Sequence, residues 1–140
     1  MLYQTAIIYS RTSLFPGQRL VPVAHSGDVH LDTERRCISI LNMARSHLEN
    51  GEFERRHVIF SLLLAGFATT QPNAKVQAID MMRAFETTGG IGRNTARARQ
   101  LLSAVCDEQQ KRIDEGGRLE QVDWLVLARE RGLSVVNCGL

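Results

Sequence analysis

The sequence predicts an all-α chain, an irregular bundle of about six helices within residues 1–140. Three observations carry this. Apolar residues recur every three or four positions over several long segments. Those segments are separated by Gly, Gly-Gly and Pro steps, and no stretch sustains the strict alternation of a half-buried strand.

Taken in order, the first segment runs roughly from Leu2 to Leu14, with Tyr3, Ala6, Ile7 and Ser10 on one side at helical spacing. Ile7-Ile8-Tyr9 also suits a strand. Residues 16–30, PGQRLVPVAHSGDVH, read as a long loop by composition, so a flexible connection is expected over about 15–31. A second helix is expected from Asp32 or Thr33 as cap, with Cys37, Ile38, Leu41, Ala44, Arg45 and Leu48 tracing its stripe and Asn50-Gly51 ending it. Glu52 to Ala68 predicts a third helix that is apolar nearly all round, through Val58, Ile59, Phe60, Leu62, Leu63, Leu64 and Phe67. Such a helix belongs in the middle of a bundle.

The turn Thr69-Thr70-Gln71-Pro72 leads into a fourth helix carrying Val76, Ile79, Met82 and Phe85. Gly89-Gly90-Ile91-Gly92 breaks the chain, and Asn94 is the expected cap of a long fifth helix. Ala98, Leu101, Leu102, Val105, Gln109 and Ile113 mark its inward side. Asp107 with Lys111, and Glu108 with Arg112, place acids four residues before bases. Gly116-Gly117 stops it. A short sixth helix starts at Asp123 and passes through Trp124, Leu125, Leu127 and Ala128 to Gly132, and the apolar tail LSVVNCGL is expected to pack back onto the helices.

Composition narrows the function classes. Hydrophobic residues make up 44% and charged residues 23%, a globular balance. Seventeen Lys and Arg against fifteen Asp and Glu leave a formal charge of +2, too even to predict nucleic-acid or membrane binding through bulk charge. Cys37, Cys106 and Cys138 are three and far apart, which disfavours both a disulfide framework and a zinc cage and suits reduced thiols. The opening lacks a basic start, the most apolar window, Val58 to Ala68, is too short to span a bilayer, and Cys138 is too close to the end for a prenylation box. A soluble intracellular chain is expected.

No constellation predicts catalysis, a cofactor or a metal, so no catalytic, cofactor-binding or metal residue is assigned. His25, His30, His47 and His57 are not paired at ligand spacing on one helix and read as surface or loop histidines. Cys106, near Ser103 and Asp107, reads as a small buried hydrophobe rather than a nucleophile. Gly89 to Asn94 could suggest a phosphate loop, but it lacks the Lys-Ser/Thr ending and follows a helix, so a helix-breaking turn is preferred. Arg93, Arg97 and Arg99 form a local basic cluster in which Arg93 and Arg97 share a face while Arg99 points elsewhere; with no interleaved aromatics, a solvated helix face is preferred to a nucleic-acid stripe. Trp124, the only tryptophan, reads as a core clamp ahead of an interface anchor, and Met81 and Met82 as core.

Three stretches in order carry a family resemblance: FSLLLAGFATTQP at 60–72, IGRNTARARQLLSAVCDEQQKR at 91–112, and VDWLVLARERGL at 122–133 with the ending VVNCGL. They resemble the C-terminal end of the fungal-specific transcription factor domain, the regulatory region of binuclear zinc cluster proteins. In that family an apolar helix typically ends in an Ala-Gly step before a polar turn and a Pro. A later helix ends in an acidic-Gln run, and a Val-Asp-Trp-like step opens the last helix. The opening YQTAIIYSRTSLFP is similar to an earlier helix of the same region.

The resemblance implies a regulatory fragment that influences transcription by RNA polymerase II in the nucleus through protein or intramolecular contacts. It also implies a bundle that is a truncated part of a larger helical domain. The family's zinc module, in which six Cys hold two zinc ions, has no counterpart here, so neither zinc nor direct DNA binding transfers. The alternative is a stand-alone helical adaptor. A short gene product, a mis-assembled gene and a remnant of a larger one all fit the opening Met. Because the third helix expects neighbours on every side, a truncated bundle predicts an open apolar patch there, and with it a protein partner or self-association.

Overall fold

The computed structural model describes residues 1–12, 27–51, 55–88, 92–117 and 122–133, which form six helices with no strand among them. In chain order these are α1 (Leu2–Thr12), α2 (Gly27–Asn50), α3 (Arg55–Ala68), α4 (Pro72–Thr88), α5 (Gly92–Asp114) and α6 (Trp124–Glu130). The all-α irregular bundle is therefore as the sequence predicts. The tail from residue 134, the loop residues 13–26 and the Gly89–Ile91 step lie outside the described residues.

α3 is the axis. Every residue from Ser61 to Thr69 is buried, and α1, α2, α4 and α5 all pack against this helix. The run SLLLAGFA explains this, because a helix apolar on all faces loses water contact only when it is enclosed. Leu62, Leu63, Leu64 and Phe67 are each at most 2% exposed, and burying each such side chain contributes about 1.5–3 kcal/mol. Among the described residues, the stretch from Ser61 to Thr69 shows no open face. α1 supplies part of the cover: Ile8 is fully buried, Tyr9 meets Phe60 with ring centroids 6.2 Å apart, and Thr5 Oγ1 donates to the buried Ser61 Oγ at 2.7 Å.

One close approach fixes the packing at the far end of α3. A Cβ at Gly66 would stand 2.7 and 2.9 Å from the Leu102 methyls and 3.2 Å from the Ala78 Cβ. Glycine is needed here because α4 and α5 both come against the α3 backbone. α6 then closes the end of the bundle. Asp123 caps it by accepting from Leu125 N at 2.9 Å and Val126 N at 3.3 Å. Trp124, 5% exposed, lays its ring 5.4 Å from that of Phe67, so the core role expected for it holds.

Several local expectations are corrected. α2 begins at Gly27, so residues 27–31 are helical rather than loop. Asp32 and Thr33 are not its caps: Asp32 bonds Arg11 and Arg36, and the Thr33 hydroxyl donates back to Val29 O at 2.8 Å inside the helix. α5 likewise begins at Gly92, which puts Asn94 within the helix instead of at its cap.

On α1 the inward side is Thr5 and Ile8, while Tyr3, Ala6 and Ser10 are exposed. The buried hydroxyl of Thr5 finds a partner, which a hydrophobicity count does not register. Ile38, Val76 and Ile113 point outward, at 40%, 56% and 44% exposure, and Ile40, Ala74 and Ala78 occupy the core positions instead. Small alanines win on α4 because the helices approach closely there.

The end of α5 follows expectation. Gly116 has φ +78°, the left-handed conformation that costs a side-chain-bearing residue, and Gly117 N donates to Arg112 O at 2.7 Å while Gly116 N donates to Ile113 O at 2.9 Å. Of the two ion pairs expected on this helix, Glu108–Arg112 forms at 3.3 Å, whereas Lys111 turns to Glu115 at 3.9 Å.

Candidate functional site

The one buried carboxylate among the described residues, a buried Thr and a buried Gln converge on the corner between α3 and α4. The corner is short, Thr69-Thr70-Gln71, with Pro72 opening α4 where no backbone N–H is needed. Glu34 reaches it from α2. Its residue is 7% exposed, and its carboxylate accepts from Thr69 Oγ1 at 2.7 Å, Thr70 N at 2.6 Å and Thr70 Oγ1 at 2.7 Å. Thr69 Oγ1 in turn accepts from Gln71 N at 3.2 Å. A buried carboxylate is tolerable only when its oxygens are satisfied, and here three donors do so.

Lys75, in the first turn of α4, folds back the other way. Its Nζ donates to Gly66 O at 3.2 Å and to Gln109 Oε1 of α5. Gln109, fully buried, passes its Nε2 hydrogen to Phe67 O at 3.3 Å. The last carbonyls of α3, which have no helical partner, thus meet an ammonium and an amide. A cation at a helix C-terminus is also favoured by the macrodipole. Four helices are joined at one corner by two side chains of opposite charge that do not pair with each other.

Two cysteines border this corner. Cys37 lies one turn after Glu34, and Cys106 one turn before Gln109. Burial pushes the Cys37 thiol up to about 12, with the Glu34 charge adding to it and Lys75 opposing. Burial also raises Cys106, with Lys75 lowering and Asp107 raising it. Both sulfurs are neutral at physiological pH, which removes the nucleophile a cysteine mechanism needs and agrees with the reading of Cys106 as a hydrophobe. They also cannot join: α2 and α5 share no Cα pair within 8 Å among the described residues, and a disulfide needs less than about 7 Å.

A second polar cluster ties α1 to α2 nearer the surface. Asp32 Oδ2 accepts from Arg11 Nη1 at 2.7 Å and Arg36 Nε at 2.8 Å, and the two guanidiniums hold its carboxyl below the usual range. Arg36 also donates to Gln4 and stands 5.9 Å from the centre of the Tyr3 ring. A third link, Arg99 Nε to Glu86 Oε2 at 2.8 Å, joins α5 to α4 and leaves Glu86 Oε1 buried without a protein partner. Arg99 is therefore held between helices, away from the exposed side of Arg97. Arg97 is exposed, as expected.

His30 and His47 are partly buried on α2, Met81 and Met82 are core, and His25, Cys138 and the side chains of His57 and Arg93 lie outside what is described. Among the described residues no three His, Cys, Asp or Glu come together as metal ligands. No described helix is long and apolar enough to cross a membrane.

The sequence names Thr69 and Thr70 only as part of a turn and does not single out Glu34 or Lys75. One signal was present: Glu34 sits three before Cys37, on the inward stripe of α2, where a charge is out of place. Gln109 gave the same signal on α5 and was placed inward. No family model, curated protein or solved structure matches this chain.

Proposed function

We propose that the chain is a regulatory helical module, the C-terminal part of a fungal-type transcription factor domain, acting in the nucleus through protein or intramolecular contacts. The observation that supports this is a convergence in space. The Ala65-Gly66 step, the acidic-Gln run and the Asp123-Trp124 step, which carry the resemblance in sequence, meet around one end of α3. Gly66 admits Leu102, Gln109 bonds Phe67 O, and Trp124 lies on the Phe67 ring. In this reading the chain has no catalytic residue, holds no zinc, and reads no DNA itself, so its influence on transcription passes through whatever protein it touches. The near-even charge supports the last point.

The test is a tethered reporter. The full chain, fused to a heterologous DNA-binding module, should shift reporter output several-fold against the module alone in a fungal host. Unchanged output from a folded, nuclear fusion would remove the proposal.

A stand-alone helical interaction module is the second reading, and the enclosure of α3 on every side by α1, α2, α4 and α5 favours it. Sedimentation across a concentration series separates the two. A truncated bundle predicts association, whereas the second reading predicts a monomer with one cooperative melt.

A further inference from the structure

We propose that Lys75 is a covalent-modification site, an amine that takes small aldehydes in preference to the only other lysine of the chain, Lys111.

The sequence supplies the contrast. Of seventeen Lys and Arg, only these two are lysines. Everywhere else that the chain needs a cation it uses a guanidinium, which cannot lose its proton and is no nucleophile at neutral pH. Lys111 is a surface residue with 64% side-chain exposure, 3.9 Å from the Glu115 carboxylate. Lys75 is partly buried at the α3–α4 corner, and its Nζ meets two neutral acceptors, Gly66 O and Gln109 Oε1. The nearby carboxylate that could have paired with it, Glu34, already takes three hydrogens from Thr69 and Thr70.

An ammonium in that setting gives up solvation without a counter-ion in contact, which favours the neutral amine. Burial accordingly pulls Lys75 below the ordinary lysine range, against the charges of Cys106, Glu34 and Cys37. Of these, the two thiols oppose only once ionised, and both are pushed up by burial. Near neutrality the Glu34 carboxylate is the one remaining opponent from α2. Among the described residues α5 contributes no ionised side chain to the balance, and α3 offers its terminal carbonyls. Each unit of lowered basicity raises the neutral fraction about tenfold. A neutral amine that donates two hydrogens to Gly66 and Gln109 keeps its lone pair free. Lys75 is itself only partly buried, and Gln71 before α4 and Val76 within it are exposed, so the residue lies at the rim of the corner.

The chemistry is imine formation. The Lys75 lone pair attacks the carbonyl carbon, a proton moves from nitrogen to oxygen through water, and loss of water leaves C=N. The reaction consumes one aldehyde and one amine, yields one imine and one water, and needs no oxidant or reductant. Its product has no hydrogen left for Gly66 O and Gln109 Oε1, so modification also releases the tie between α3, α4 and α5.

The test uses the full wild-type chain with limiting formaldehyde and cyanoborohydride, which traps the imine as methyl-lysine, and peptide mass spectrometry at both lysines. At pH 7 Lys75 should be methylated several-fold faster than Lys111. The ratio should fall as the pH is raised and Lys111 becomes neutral too, and it should approach unity in denaturant. Equal labelling, or faster labelling of Lys111, in the folded chain at pH 7 overturns the proposal. A ratio that survives denaturant overturns it as well, because local sequence and not the corner would then be the cause. Lys75→Arg, which keeps a donor and removes the amine, should leave Lys111 labelling at its wild-type rate.

Discussion

The α3–α4 corner and the α1–α2 seam hold charged side chains between helices in opposite ways. At the seam, Asp32 meets two guanidiniums directly, and all three side chains keep a fifth to a third of their surface in water. At the corner, Glu34 is more deeply buried, and it and Lys75 bond hydroxyls, amides and carbonyls instead of each other. Ion pairs in water stabilise little, because solvent already satisfies both partners. A buried carboxylate with three protein donors has no such substitute. The number of charges is therefore a poor guide to where this bundle is held, and the depth of each polar group is a better one.

Removing Glu34 should show the largest effect. Glu34→Ala strands the buried Thr69 hydroxyl and removes the partner of the half-buried Thr70 hydroxyl and N–H, at a cost of about 1–3 kcal/mol. Urea denaturation with an unchanged slope and a lower midpoint is the expected result. A loss no greater than that of a surface variant would show that water replaces the carboxylate and that the corner resembles the seam after all.

Gly66→Ala comes next. The added Cβ would press on Leu102, itself fully buried, and on the fixed Ala78 Cβ, so overpacking should cost about 1–3 kcal/mol. The companion change Leu102→Ala in that background should recover part of the loss, since it empties the space the new methyl needs. Thermal melts of the single and double variants measure this coupling.

A pH series separates the corner from the seam without mutation. The Cys37 thiol keeps its proton to about 12 in the fold, against 9.0 for an ordinary cysteine, so the unfolded chain releases a proton first as pH rises. Stability from this group is full below 9.0 and falls between 9.0 and about 12, on the order of 1 kcal/mol per unit crossed. Lys75 acts with the opposite sign, since its folded basicity is lowered and deprotonation there relieves the fold. Cys37→Ala should therefore flatten the alkaline decline measured by chemical denaturation at each pH. An unchanged decline would place its origin elsewhere.

The smallest effect belongs to the seam. Asp32→Asn should lower stability only slightly, and added salt should shrink the difference between variant and wild type. Because the Asp32 carboxyl is held below its usual range, its contribution is present above the ordinary carboxylate range and lost as pH falls through the lowered value. A salt-independent loss as large as that of Glu34→Ala would erase the contrast between the two regions.

The sequence by itself determined the helices and the identity of the central one. Their periodicity is local, and the glycines that stop α2, α5 and α6 act through their own backbone. It also placed Trp124, Met81, Met82 and Gln109 inward, because each interrupts or fills a stripe in a way that spacing alone reveals.

Only the tertiary structure decided which face of α1 is buried, since Thr5 competes with Ile7 through a partner, Ser61, fifty-six residues away. The same holds for Val76, left outside while the smaller Ala74 and Ala78 take the core face of α4. The corner is the clearest case. Glu34, Lys75 and Gln109 come from three helices separated by more than thirty residues along the chain. Hydrogen bonding at such separations leaves no periodic trace in sequence, because each partner is chosen by where the helices cross.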